Sequence, residues 1–245
     1  MSKIALVLHG WPQTKLNQYF LVKFLEDKDY EVVIPNLYLI EESWDIGEIS
    51  DKISDEIKGR CPDLIVGISM GGLILPHIAK RYPKSKLIFI ASGAYFKPDL
   101  LLTKLGMVIL KKKLLRRFLV NIGNNIPLSM IGFLYSLFNP FTGEEKDREI
   151  YEKDMKLNLN EIKKHSFSKH LMLLDLVCKI DNRKLLSTIR NTALIFDGEN
   201  DRLMGGGGKE ISKFLENSKL IVNKGEHFNV FDKRDLTEVK KFLQT

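Results

Sequence analysis

Cysteine is close to absent. Cys61 and Cys178 are the only two in 245 residues. One pair cannot build the disulfide framework of a small secreted domain, and a reducing, cytoplasmic setting is expected. Long apolar runs are missing too. No stretch approaches the ~18 residues that span a bilayer. The apolar run from Ile4 to Leu8 is too short for a secretory signal and lacks a small-residue cleavage site. There is no internal repeat and no Pro- or Ser-rich linker; Gly205 to Gly208 is the single low-complexity tract. A C-x-x-C pair, a metal-ligand cluster and a dinucleotide fingerprint are all lacking, so neither metal nor cofactor is expected. Charge of one sign is only mildly in excess: Lys+Arg 38 against Asp+Glu 31 gives +7. That permits an anionic partner without demanding one, and no nucleic-acid partner is expected. What is present is a chain that is 44% hydrophobic, enough for one large domain or a domain with an insertion.

The two ends share a rhythm that the middle lacks. Ile4 to Leu8 is a continuous apolar run followed by Gly10, the pattern of a strand buried on both faces. Asn17 is placed to cap a helix through about Asp27, with Phe20, Leu21, Phe24 and Leu25 on its apolar face. Strands are predicted at Glu31 to Ile34, Leu64 to Val66, Leu87 to Ile90, Ala193 to Phe196 and Leu220 to Val222. Helices are predicted at Asp45 to Gly59, Met70 to Arg81, Lys209 to Leu215 and Leu236 to Leu243. Such alternation implies βαβ crossovers, hence an α/β fold with a mostly parallel sheet of about six strands and helices on both faces. Residues 1–94 and 181–245 are expected to form this core. Residues 95–180 read as helices broken at Asn121 to Pro127 and Asn139 to Gly143, a helical insertion of the kind that caps a site.

Gly67-Ile68-Ser69-Met70-Gly71 matches G-x-S-x-G. It follows a β run and opens a helix, the strand–turn–helix setting that such a nucleophile elbow requires. A nucleophile on so sharp a turn needs small neighbours for the two arms to approach. Gly67 and Gly71 supply that and Gly72 adds room, so Ser69 is exposed at the carboxyl end of the sheet, beside a helix N-terminus that favours negative charge.

Three further segments join that elbow: Leu8-His9-Gly10-Trp11, Asp197-Gly198-Glu199-Asn200-Asp201 and Lys224-Gly225-Glu226-His227-Phe228. With them the sequence resembles the α/β-hydrolase fold superfamily over essentially its whole length, as a minimal, capped, serine esterase- or lipase-like member. The first segment is similar to the family's HG-x motif after an early strand, the second to its G-x-x-D acid loop, the third to its terminal G-x-x-H element. The resemblance implies a triad in chain order serine, acid, histidine. Of the five histidines only His227 follows Asp201, which makes Ser69, Asp201 and His227 the candidate catalytic residues. Asp197, at the strand end, and Asp99, after the preceding strand, are the competing acids. His77 falls on the helix behind the elbow, and His165 and His170 belong to the insertion among Lys163, Lys164 and Lys169, with surface or cap roles expected. The resemblance places the oxyanion hole at the backbone amides of Met70 and Trp11, with His9 and Gly10 supporting that loop. Pro12 has no amide hydrogen to offer, and the Trp11 indole is expected to face the acyl pocket.

Two departures stand out. Pro76 removes an amide inside the helix after the elbow, so a bend is expected there. Gly205 to Gly208, directly after the acid loop, reads as a flexible loop that holds Asp201 loosely.

In the insertion, Leu105 to Val120 places Leu110, Leu114, Leu115 and Phe118 on one helix face, with Lys111 to Lys113, Arg116 and Arg117 around the rest. An amphipathic cap helix with a solvated basic face is the favoured reading; weak membrane-surface contact with anionic lipid is the other. Together with Lys97 and Lys104 these basic residues match the surplus of +7. Ile126 to Phe141 is apolar almost all round and is expected to be buried, lining a pocket for an apolar acyl chain. The resemblance and the pocket together imply a small-molecule ester substrate. Thioesterase, amidase, C–C hydrolase and acyltransferase chemistry on the same triad stay open, as does a non-catalytic binding or peripheral membrane protein.

Overall fold

The computed structural model describes residues 3–12, 19–39, 45–97, 118, 121–123, 125–138 and 148–244. Among them, six strands form one parallel sheet: β1 (Lys3–Leu8), β2 (Tyr30–Val33), β3 (Leu64–Ile68), β4 (Lys86–Ile90), β5 (Ala193–Gly198) and β6 (Ser218–Asn223). The helices are α1 (Tyr19–Glu26), α2 (Ile46–Glu56), α3 (Met70–Ala79), α4 (Leu128–Phe138), α5 (Arg148–Lys164), α6 (Phe167–Lys179), α7 (Arg183–Leu186), α8 (Gly207–Phe214) and α9 (Leu236–Gln244). Asn17, Asp99 and the basic run from Lys104 to Arg117 lie outside the described residues. No helix among the described residues is long and apolar enough to cross a membrane.

The unbroken apolar runs have a simple cause. Side chains alternate across a strand, and both faces of this sheet are covered. Leu6, Leu8, Ile65, Leu87, Phe89 and Ile195 face one way, toward Ile49 and Ile53 of α2, Leu73 of α3 and Ile211 of α8. Ala5, Val7, Leu64, Val66, Ile88 and Phe196 face the other, toward Leu21 and Leu25 of α1 and Val239 and Phe242 of α9. Asp45 starts α2 through a reciprocal capping box with Glu48.

The strand order is β2-β1-β3-β4-β5-β6. The chain therefore winds outward from β1 in one direction and from β3 in the other, and the crevice between their carboxyl ends is where ligands bind in open sheets of this kind. Leu8 is paired with Gly67, so the loops after β1 and β3 start side by side. At the other end of the sheet Gly198 is paired with Asn223, which aligns the loops after β5 and β6.

The segment after β4 leaves the sheet and returns to it at one place. Tyr95 and Asp181 form an antiparallel bridge, and the Asn182 amide donates to the Ala94 carbonyl at 2.8 Å. The fully buried Asn182 side chain then reaches into α3: its Nδ2 donates to the Leu73 carbonyl at 2.7 Å, and its Oδ1 pairs with His77 Nε2 at 2.9 Å. α3 runs through Pro76 to Ala79, and the Leu73 carbonyl beside that proline takes a side-chain donor.

One expectation about this segment is corrected. The apolar stretch from Ile126 is not buried all round: Met130 and Phe133, both on α4, are exposed, Phe133 at 61%. α4 meets α5 along the side that carries Gly132, where a Cβ would stand 3.2 Å from Leu159. One partner helix covers one face only.

Replacing Asn182 by Ala removes the side-chain donor to the Leu73 carbonyl and the buried partner of His77 Nε2. The expected cost is about 1–3 kcal/mol, read as a lower urea midpoint at unchanged m-value. An unaltered midpoint would show that this side chain does not tie the returning segment to α3.

Candidate active site

Ser69 sits between β3 and α3 at φ 50°, ψ −114°, a conformation that costs on the order of 1–3 kcal/mol and survives only when its surroundings enforce it. They do. The Ser69 amide donates to the Ile90 carbonyl at 2.9 Å. The Ser69 carbonyl accepts from the Gly72 amide at 3.0 Å and from Ser92 Oγ at 2.9 Å. The flanking glycines allow the approach: a Cβ on Gly71 would stand 2.1 Å from the Leu8 carbonyl oxygen, and one on Gly67 2.6 Å from Gly72 Cα.

The loops after β5 and β6 are locked together. The Glu199 amide donates to the Asn223 carbonyl at 2.8 Å, Asn200 Nδ2 donates to the Lys224 carbonyl at 2.7 Å, and a Cβ on Gly198 would stand 2.3 Å from the Gly225 carbonyl oxygen. This pairing brings Asp201 and His227 together, with Asp201 Oδ2 and His227 Nδ1 2.7 Å apart. The other carboxylate oxygen, Oδ1, accepts from the amides of Leu203 and Met204, each at 2.9 Å. His227 Nε2 and Ser69 Oγ are 2.8 Å apart. A carboxylate can only accept, so the imidazole carries its proton on Nδ1 and turns a lone pair at Nε2 toward the hydroxyl. An imidazole held in this way is able to take a hydroxyl proton, and a buried carboxylate behind it stabilises the imidazolium that results.

Residues 9–12 border Ser69. A Cβ on Gly10 would stand 3.3 Å from Ser69 Cβ. The buried His9 ring fixes the segment: Nδ1 pairs with the Gly10 carbonyl at 2.7 Å, and Nε2 accepts from the Leu37 amide at 3.0 Å. Burial, opposed by the Gly10 bond, brings the His9 pKa down to about 4. Tyr38 Oη donates to the Pro12 carbonyl at 2.6 Å, and the Trp11 indole donates to His170 Nδ1 at 3.1 Å.

A profile of the serine aminopeptidase, S33, family matches residues 43–221. The chain belongs to this α/β-hydrolase family. No functionally curated protein matches it. Solved structures with the S33-like sheet include a thermophilic esterase from Thermogutta terrifontis, 16% identical, covering 99% of this chain and 89% of that one at a TM-score of 0.73. The enol-lactonase from Burkholderia xenovorans LB400 is 15% identical, with 100% and 93% covered and a TM-score of 0.68. A bromoperoxidase from Bacillus anthracis is 19% identical, with 99% and 89% covered and a TM-score of 0.62. At such identities the likeness is one of fold.

Within this S33-family fold the structure brings Ser69, Asp201 and His227 into one hydrogen-bonded chain and sets Met70, Trp11, His9, Gly10, Gly67 and Gly71 around it. Asp197 is elsewhere engaged: its Oδ2 accepts from the Lys209 amide at 3.1 Å at the start of α8, and burial pushes its carboxyl above the usual range. His77 is bound to Asn182. The tract Gly205 to Gly208 is not a loose loop, which corrects the sequence reading. The Gly205 amide donates to the Asp201 carbonyl at 3.0 Å, Gly206 takes φ 72°, and a Cβ on Gly207 would stand 2.5 Å from the Ser92 carbonyl oxygen. Glycine here is a device for close packing of α8. Two residues had no sequence signal. Tyr38 lies in no motif, and His170, expected at the surface or in the cap, is buried on α6 and contacts Trp11 from 159 positions away. Both ring nitrogens of His9 and of His170 are committed to hydrogen bonds.

Burial of neutral His9 makes stability depend on pH. Its folded pKa lies below the unfolded value, so its contribution is complete above about 6.5 and is lost as pH falls toward about 4, roughly 3 kcal/mol in all. Asp197 shifts in the opposite sense and His170 in the same one, so the comparison of wild type with His9→Gln isolates the contribution of His9. Urea unfolding between pH 7 and 4 is expected to show a shallower decline in the variant; equal slopes would remove His9 as the source.

Proposed function

We propose that the protein is a serine hydrolase of carboxylic esters with small or medium apolar acyl groups. The observation that carries this reading is the Ser69 Oγ to His227 Nε2 contact of 2.8 Å, backed by Asp201 at 2.7 Å. Ser69 Oγ attacks the ester carbonyl as His227 takes its proton. The tetrahedral oxyanion is met by the amides of Met70 and Trp11, and collapse expels the alcohol, which receives the proton from His227. Water, deprotonated by His227, then attacks the acyl-Ser69 carbonyl; collapse breaks the bond to Ser69 Oγ, which takes the proton back from His227 as the acid is released. Asp201 keeps the imidazole in the required tautomer throughout. His9 and Gly10 set the path of the oxyanion loop, and Gly67 and Gly71 permit the elbow. On this reading residues 95–180 cap the site, with α6 against the loop that carries Trp11.

The family description favours a second reading, amide hydrolysis on the same residues. It differs in the leaving group, an amine that must be protonated to depart.

The test combines p-nitrophenyl esters of increasing acyl length, aminoacyl p-nitroanilides and a fluorophosphonate probe, with wild type and Ser69→Ala. Ester turnover with a short- to medium-chain preference is expected, with kcat lowered about a thousandfold or more in Ser69→Ala and labelling lost. Preference for the anilides selects the amide reading. An unlabelled wild type, or labelling that persists in Ser69→Ala, overturns both.

A further inference from the structure

The two amides assigned to the oxyanion are held very differently. Met70 is the first residue of α3, and the Ser69 backbone beside it is bonded to β4 and to Ser92. Trp11 lies in a loop that is held through side chains. His9 holds the Gly10 carbonyl, Tyr38 holds the Pro12 carbonyl, and His170 holds the Trp11 indole. The first two belong to residues 3–39. His170 belongs to α6, inside the segment 95–180.

The chemistry of the His170 contact is unambiguous. An indole N–H can only donate, so Nδ1 is the acceptor; the Ile162 carbonyl, 3.0 Å from Nε2, can only accept, so Nε2 carries the proton. Burial, opposed by that carbonyl, brings the pKa of His170 down to about 4, so the Nδ1 lone pair is available at neutral pH. The ring lies edge-on to Trp11 at 5.9 Å and 78° and to Tyr38 at 5.0 Å and 74°, while Tyr38 is stacked on His165 at 4.0 Å and 3°. His170 therefore has one orientation, fixed by α5, and through it Trp11 has one orientation too.

We propose that His170 is a positioning residue for the oxyanion site: by accepting the Trp11 indole N–H it sets the Trp11 backbone, so that the second oxyanion amide is in place only while α6 is seated on the loop after β1. This rests on the ester-hydrolase reading above. An oxyanion donor acts at 2.7–3.1 Å from the developing charge, and a displacement of about 1 Å can cost up to about a hundredfold in rate. Ground-state binding involves that amide far less, so the effect falls on kcat and spares KM.

The experiment is steady-state hydrolysis of p-nitrophenyl butyrate by wild type, His170→Phe, His170→Asn, Trp11→Phe and the double variant His170→Phe/Trp11→Phe. Thermal melting and the fluorophosphonate-labelled fraction are recorded for each. His170→Phe keeps an aromatic ring and removes the acceptor; kcat is expected to fall about tenfold at nearly constant KM. His170→Asn places an amide oxygen close to the Nδ1 position and should recover most of the loss. The double variant should fall little below either single one, because both remove the same bond. A His170→Phe enzyme with wild-type kcat overturns the proposal while leaving the hydrolase reading intact. So does a loss that merely tracks the unlabelled fraction, a failure of Asn to recover activity, or additivity in the double variant. A wild type inert toward both ester and probe overturns the hydrolase reading, and the positioning role with it.

Discussion

The site depends on backbone meeting backbone at the ends of β1 and β3. The first turn of α3 lies on the Leu8 carbonyl so closely that no side chain fits at Gly71, and Leu8 is in register with Gly67. Ser69 and Gly10 are neighbours for that reason. The loops after β5 and β6 repeat the arrangement with Gly198 pressed on the Gly225 carbonyl. Two glycine-permitted contacts, one on each side of the sheet centre, thus fix four loop origins before any side chain is considered. The hydrogen-bonded chain from Ser69 through His227 to Asp201 spans the gap between them.

Much of the fold was legible because a strand buried on both faces leaves an unbroken apolar run. The errors at the carboxyl ends of β3 and β5 share a cause. β3 continues through Gly67 to Ile68, and β5 through Asp197 to Gly198, where residue choice answers to the elbow and the acid loop, and apolar content no longer reports the ladder. The start of α8 was misread for a related reason: glycine is a poor helix former, and here it is selected by proximity to the Ser92 carbonyl and to Asp197. That Ser69, Asp201 and His227 would meet was legible because the resemblance prescribes particular residue types in a particular chain order. His170 was not, because it has no motif and its neighbour Lys169 carries charge. A helix turns about 100° per residue, so adjacent positions report on different environments.

The neighbouring structures name an esterase, a lactonase and a bromoperoxidase on closely similar sheets. One scaffold serves several chemistries, and function is decided by the groups placed at its carboxyl edge. In this chain α6, between β4 and β5, contributes a contact to the loop after β1 at Trp11. Tyr38 is the hinge of that contribution: its hydroxyl holds Pro12 while its ring faces His165 and His170.

The bridge between Tyr95 and Asp181 has a wider implication. A long excursion that leaves and re-enters the core at adjacent points is, for the sheet, a closed detour. Its length enters the entropy of closing that detour as a slowly varying logarithm. Strands β4 and β5 keep their spacing whatever lies between them. Variation can therefore accumulate in the detour while the pairing of β4 with β5 is kept.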